Sequence, residues 1–303
     1  MKILVTGAAG FIGREVCKQL EKTDYEVYRT DIRKEPGIDY LDITQLDQFV
    51  NYLRLKGFGS EDAIINLAAK VAGKPSFKDP YGYFYVNVIG TLNLCEAMKQ
   101  VGMKYLVYIS SWSTFGSKIH LPITEKTEQE PENPYGSSKV ACEKIVHSYC
   151  DIGFLKSVIL RPTMIYGPGQ EEANVLQQVV DSMVNETTME LYGEGTHTRE
   201  FLNVRDASST MIKSIEVVKK VKTYEIFILG TENPIRIRDL VKKARKISKF
   251  PITFKPSSTW AFSQSSDMTK LKHWFGIDPK KDFMTLEEGL RETLQYKRKK
   301  QDS

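Results

Sequence analysis

Thr6-Gly7-Ala8-Ala9-Gly10-Phe11-Ile12-Gly13, near the start of a 303-residue chain, decides the fold. It follows Lys2-Ile3-Leu4-Val5-Thr6, a β-branched run that reads as a strand. It leads into residues 12–20, where apolar side chains recur at the three- and four-residue spacing of a helix. In that strand–turn–helix setting Gly7 permits the tight turn, Gly10 lets backbone approach a pyrophosphate, and Gly13 allows helix and sheet to pack closely. The amides that open the helix attract the anion. Glycines serving only a tight connection are the competing reading.

Outward from this turn, short strand-like runs at residues 2–6, 26–30, 63–67, 105–110 and 156–160 alternate with helix-length segments, among them 84–98. Such alternation predicts an α/β fold with a doubly wound parallel sheet of the Rossmann type. Beyond Arg161-Pro162 the regularity weakens, and a smaller C-terminal substrate-binding lobe is expected there. It holds a helix at 175–184, a strand at 225–229, a helix at 237–247, a loop containing Pro251 and Pro256, and a last helix at 286–297. The division expected is a dinucleotide-binding core over residues 1–165, with sheet contributions from about 200–230, and a mainly substrate-binding lobe over 166–303.

Asp31 closes the second strand 18 residues after Gly13, where a carboxylate can bind both hydroxyls of an adenosine ribose, which favours NAD. Arg33 and Lys34 follow at once and suit a 2′-phosphate, so NADP stays open. Asp42-Ile43, after a short strand at 38–41, can meet the adenine edge, and a surface turn explains them nearly as well. The small residues of Asn66-Leu67-Ala68-Ala69 let backbone come close to a cofactor at the carboxyl end of the sheet.

Pro134-Tyr135-Gly136-Ser137-Ser138-Lys139 opens another helix, with proline in its first turn and Tyr135 and Lys139 four apart on one face. An ammonium beside a phenol lowers the phenol pKa from about 10 and makes it a usable general base. Tyr52/Lys56 and Tyr296/Lys300 share the spacing and read as surface helix pairs. Tyr135 stands apart because it follows Tyr108-Ile109-Ser110-Ser111, a strand end at which Ser111 can relay a substrate proton. A helix cap or turn is the other role open to Ser111.

Composition excludes several classes. The 43 basic and 38 acidic residues are interspersed, with no stripe suited to nucleic acid. The Lys297–Lys300 run complements the dipole of the last helix and stays in water. Cys17, Cys95, Cys142 and Cys150 lack metal or redox spacing, and the four histidines are scattered, so no metal is expected. The chain starts directly with a strand, leaving no room for a signal peptide, and no apolar stretch reaches a membrane span of ~20 residues. A cytoplasmic protein is expected, with no membrane partner.

Taken together, these residues resemble the extended short-chain dehydrogenase/reductases of the NAD-dependent epimerase/dehydratase family. The likeness runs through the 6–13 turn, 66–69, Asn87 before Gly90-Thr91, Ser110-Ser111, Tyr135/Lys139, Leu160-Arg161-Pro162 and Tyr166-Gly167-Pro168-Gly169. It continues in Gly193-Glu194-Gly195, Arg199-Glu200-Phe201, Asp206 and Leu286-Glu287-Glu288-Gly289-Leu290. The resemblance implies catalytic Tyr135, Lys139 and Ser111. It implies cofactor contacts at Gly7, Gly10, Phe11, Ile12, Gly13, Asp31, Ile32, Arg33, Asp42, Ile43, Leu67, Ala68, Ala69, Ser110, Tyr135, Lys139 and Pro162. Substrate contacts fall at Ser111, Ser113, Tyr135, Asn174 and Arg199, the last two gripping the diphosphate of a nucleoside-diphosphate sugar.

Three departures bear on the reaction. Trp112-Ser113 stands where sugar 4,6-dehydratases carry acid, Met164 replaces an asparagine common in relatives, and no clear Arg-x-x-Asp precedes Asp267. The first argues against dehydration, and the other two, the last a motif usual in UDP-sugar epimerases, leave the nucleotide open; the activity implied is 4-epimerisation through transient oxidation at C4 with bound NAD. Reduction of a nucleotide 4-keto-6-deoxysugar by NAD(P)H is the alternative, and a non-catalytic NAD(P)-sensing protein is a third reading. The resemblance also implies a homodimer built on the helices at 84–98 and 135–147.

Overall fold

A computed structural model describes residues 1–171, 174–256 and 262–301. The elements of its first half are β1 (Lys2–Thr6), α1 (Phe11–Leu20), β2 (Glu26–Asp31), β3 (Asp39–Tyr40), α2 (Leu46–Leu55), β4 (Ala63–Asn66), α3 (Gly73–Ser76), α4 (Pro80–Phe84), a π-helix (Tyr85–Ile89), α5 (Gly90–Val101), β5 (Tyr105–Ile109), a 3₁₀ turn (Trp112–Thr114), α6 (Pro134–Asp151) and β6 (Lys156–Pro162). There follow β7 (Met164–Tyr166), α7 (Val175–Asn185), β8 (Met189–Tyr192), β9 (Thr198–Arg199), β10 (Phe201–Asn203), α8 (Val204–Lys220), β11 (Tyr224–Leu229), β12 (Ile235–Arg236), α9 (Ile237–Ile247), β13 (Ile252–Lys255), α10 (Thr269–Phe275), α11 (Pro279–Asp282) and α12 (Leu286–Gln301).

Two compact units emerge. The first comprises residues 1–119, 125–162 and 208–228; the second comprises 120–124, 163–207 and 229–303. The first is built on a seven-stranded sheet in the order β11-β6-β5-β4-β1-β2-β3. Its strands are parallel where β1 meets β2 and β4, and where β4, β5 and β6 meet. The chain winds from β1 out to β3, then returns to the other side of β1 with β4. Right-handed crossovers therefore put α1 and α5 on opposite faces and open a crevice at the carboxyl ends of β1 and β4. Helices α2, α5 and α6 pack side by side, and Leu4, Phe49, Leu53, Ile64, Leu94 and Leu106 are fully buried in the core between helices and sheet. Each such side chain contributes roughly 1.5–3 kcal/mol.

In the second unit β7 pairs with β10 and β8 with β13 in parallel, and β9 pairs with β12 antiparallel. Helices α7, α9 and α12 close around Tyr166, Val180, Met183, Leu240 and Leu290. A Cβ at Gly289 would stand 2.8 Å from the Tyr166 ring, so the glycine in Leu286-Glu287-Glu288-Gly289-Leu290 is what lets α12 lie on that core.

Two expectations are revised. The helix expected at 84–98 is broken into α4, the π-helix and α5. Within the π turn Asn87 is buried and hydrogen-bonds the backbone of Lys70 and the hydroxyl of Ser138, contacts that reward one extra residue in the turn. The loop expected around Pro251 and Pro256 contains β13, because the prolines flank the strand instead of interrupting it. Met189 N donates to Pro251 O at 2.9 Å and Gly193 N to Lys255 O at 2.8 Å.

Candidate active site

The candidate cofactor cradle is assembled at the β1/β4 switch. Gly7 has φ +70°, and a Cβ there would lie 2.8 Å from Ala68 N and Leu67 C, so glycine is required both for the turn and for the approach of the 67–69 segment. At Gly13 a Cβ would stand 2.8 Å from the Ala8 Cα, which keeps α1 tight against the turn. Thr6 Oγ1 donates to Asn66 Oδ1 at 2.6 Å and accepts from Ala68 N at 3.3 Å, tying the two strand ends together. Phe11 and Ile12 form the first turn of α1, whose leading amides have no partner within the helix.

Asp31 is nearly buried. Its Oδ2 accepts from Ala9 N at 3.0 Å, and its Oδ1 accepts from Arg33 N at 2.9 Å. The carboxylate thus clamps the glycine turn to β2 and still has acceptor capacity for a ribose. The half-exposed Arg33 guanidinium pairs with Asp31 at 3.4 Å, and Ile32 is exposed. Asp42 accepts from Thr44 N at 2.9 Å in the surface-turn geometry. The side chain of Ile43 is core and its carbonyl accepts from Asn93 at 3.2 Å, so any cofactor contact there falls to its amide. Pro162 ends β6 and is buried.

On α6, Asn133 caps the helix, with its Oδ1 accepting from Gly136 N at 2.9 Å, and Pro134 occupies the first turn. Tyr135 is 8% exposed and Lys139 4%. The Lys139 ammonium donates to Ile109 O at 2.8 Å and stands 5.1 Å from the centroid of the Tyr108 ring. Burial pushes its pKa down. The Tyr83 ring meets Tyr135 edge-on at 6.2 Å. Ser111 caps the 3₁₀ turn by accepting from Ser113 N at 3.0 Å, which leaves the hydroxyl a proton and a second lone pair. A Cβ at Gly136 would collide with Ser113 O and Pro131, so this glycine seats the Ser111–Ser113 turn on α6. Trp112, buried and edge-on to Phe115 at 5.9 Å, offers no acid beside Ser111.

The Ser110 hydroxyl donates to Glu143, which leaves the lone pairs of its oxygen and its backbone to face a cofactor. Asn174 and Arg199 belong to the second unit. Asn174 caps α7, accepting from Gln177 N at 2.9 Å. Arg199 is 7% exposed, donates to Thr198 O at 3.0 Å and lies 4.0 Å over the Phe262 ring, and among the described residues it has no carboxylate partner. Burial pushes its pKa down to about 10. The next residue, Glu200, is fully buried and accepts from Ser266 N at 2.6 Å and Thr231 N at 2.7 Å instead.

Sequence reasoning missed Tyr83, Phe262 and the pairing of Glu143 with Arg161. For Glu143 a signal existed: it continues the four-residue spacing of Tyr135 and Lys139. Nothing local marks Phe262. No group of side chains suited to a metal occurs among the described residues, and no helix among them is long and apolar enough to cross a membrane.

A glycine turn at a switch point, a nearly buried carboxylate at the end of β2, and a Tyr/Lys/Ser group at the neighbouring strand end suit a dinucleotide-dependent enzyme. The model of the NAD dependent epimerase/dehydratase family matches residues 3–230, and the chain belongs to that family. It is similar to the UDP-glucose 4-epimerase of Lactobacillus helveticus (28% identity; 92% of each chain). It is likewise similar to the dTDP-D-glucose 4,6-dehydratase of Mus musculus (27%; 98% of this chain and 89% of the other). The solved UDP-glucose 4-epimerase of Thermotoga maritima with UDP-glucose superposes with TM-score 0.89 at 27% identity, over 99% and 100% of the two chains. The protein is thus an NAD-dependent enzyme of the nucleotide-sugar epimerase/dehydratase type.

Proposed function

We propose that the chain is a nucleotide-sugar 4-epimerase in which Tyr135 is the acid–base group. The observation that carries this reading is the pairing on α6 of a nearly buried tyrosine with a buried ammonium one turn away, beside a strand-end serine whose neighbours Trp112 and Ser113 offer no acid for dehydration. Tyr135, kept acidic by Lys139, takes the O4 proton through Ser111. Bound NAD supplies the hydride acceptor for C4. The chain's own residues hold it: the 7–13 turn at the pyrophosphate, Asp31 at the ribose, Leu67–Ala69 at the sheet end. Inversion would follow when the oxidised sugar presents its other face, takes the same hydride back at C4 and regains the O4 proton from Tyr135. Arg199, a buried guanidinium without a protein counter-ion among the described residues, suits the diphosphate. Asn174, its amide oxygen occupied by the α7 cap, would serve through its NH₂ group.

The half-exposed Arg33 favours a second reading, a ketoreductase using NADP(H), since a guanidinium there can meet a 2′-phosphate. NAD that stays bound through purification supports the epimerase; stoichiometric NAD(P)H consumption with a ketosugar supports the reductase. Tyr135→Phe is expected to lower kcat with UDP-glucose at least about a thousandfold while NAD binding stays within about twofold, as loss of a general base requires. Near-normal turnover in that variant removes the mechanism.

Exposed Tyr81, Phe84, Tyr85, Ile89 and Leu92 form an apolar stripe along α4, the π-helix and α5, which supports a homodimer on these helices. The four buried free thiols suit a reducing compartment, the cytoplasm, which fractionation of cells checks.

A further inference from the structure

Glu143 lies two turns beyond Tyr135 and one beyond Lys139 on the same side of α6, and it is fully buried. Its Oε1 accepts from Ser110 Oγ and from Arg161 Nε at 3.0 Å. Its Oε2 accepts from Arg161 Nη2 at 2.6 Å and from Gln129 Nε2 at 3.0 Å. Arg161 is itself 3% exposed, with its guanidinium 5.1 Å over the Phe115 ring. A bidentate ion pair of this kind, removed from water, fixes direction as well as distance. The three donors come from the end of β5, from β6 and from the segment that leads into α6. Ser110 immediately precedes Ser111, and Arg161 immediately precedes Pro162.

We propose that Glu143 is a positioning residue for the acid–base group: by clamping Ser110 and Arg161 it holds the strand ends bearing Ser111 and Pro162 against the helix face bearing Tyr135 and Lys139. A replacement of the ion pair by apolar side chains often costs a protein nothing in stability, so packing alone does not demand a charged clamp here. The pair also neutralises Arg161, which leaves Lys139, held by Ile109 O, as the cation without a carboxylate partner on this side of α6 among the described residues. Other titratable groups packed around the cluster are Tyr83 on α4, Tyr108 on β5, and Cys142 and His147 on α6, the imidazole within electrostatic reach of both Glu143 and Arg161. This inference rests on the reading of Tyr135 as the base.

The test titrates Tyr135 in the NAD-loaded protein by the ultraviolet difference absorbance of its phenolate, each protein measured against its own Tyr135→Phe counterpart. Glu143→Gln leaves the Arg161 charge uncompensated, and the Tyr135 midpoint is expected to fall by about one pH unit. In Glu143→Gln/Arg161→Met, which removes both charges, it returns to the wild-type value. An unchanged midpoint in folded Glu143→Gln overturns the proposal. Should Glu143→Gln not fold, Ser110→Ala removes one donor and no charge. Its kcat with UDP-glucose is expected to drop about tenfold at unchanged KM, because a displaced Ser111 misaligns the relay, and an unchanged kcat overturns the proposal. A wild-type Tyr135 that titrates at the ordinary value of about 10 removes the base assignment and this proposal with it, and is seen before any variant is compared.

Discussion

Arg199 carries the plainest contrast between stability and binding in the chain. A buried guanidinium held by one carbonyl and an aromatic face, with no carboxylate beside it among the described residues, is a desolvated charge that the free protein tolerates at a cost of several kcal/mol. Arg199→Met is therefore expected to raise the melting temperature of the ligand-free protein and to weaken UDP-glucose binding by about thirtyfold or more, the loss of one or two charge-assisted hydrogen bonds. Calorimetry of both proteins with and without UDP-glucose measures both effects; a lowered melting temperature with unchanged affinity would make Arg199 a structural residue. The candidate site was legible at this scale wherever backbone conformation or chain-local geometry imposes the residue. Gly7 and Gly13 could be read because their places admit no Cβ, and Tyr135/Lys139 because a helix turn separates them. Phe262 was illegible because it meets Arg199 across 63 positions of sequence (262 minus 199) with no periodic pattern to mark it.

Among the elements, α6 and the Ser111–Ser113 turn behave as one piece. Gly136 has no room for a methyl group against Ser113 O, so Gly136→Ala is expected to destabilise the protein by at least about 2 kcal/mol and to lower kcat more than it raises KM. A denaturant melt and steady-state kinetics check it, and a variant as stable and as active as wild type would mean that the turn is not seated on the helix. Strands β1, β2, β4, β5 and β6 lie where their β-branched runs placed them, give or take a residue or two at their ends; for β1, β4, β5 and β6 the reason is that buried parallel strands leave continuous apolar segments. The break at 85–89 was not legible. Its cause is a tertiary contact, Asn87 reaching Lys70 and Ser138, and helical periodicity carries no trace of a single extra residue. Nor was β13, whose pairing with β8 spans more than sixty positions (Ile252 with Met189).

For the molecule as a whole, the stripe of Tyr81, Phe84, Tyr85, Ile89 and Leu92 makes association testable. Leu92→Glu paired with Tyr81→Lys is expected to convert a dimer into a monomer in sedimentation without loss of bound NAD, and a wild-type monomer would refute the association. The reaction itself is tested most directly by incubating the NAD-loaded protein in heavy water with UDP-, GDP-, dTDP- and CDP-sugars and following each product by mass and proton NMR. Internal hydride transfer at C4 predicts a 4-epimer that keeps its C4 proton and takes up no solvent deuterium on carbon. A product carrying deuterium at C5, the mark of elimination, or no conversion of any sugar while NAD stays bound, would contradict it.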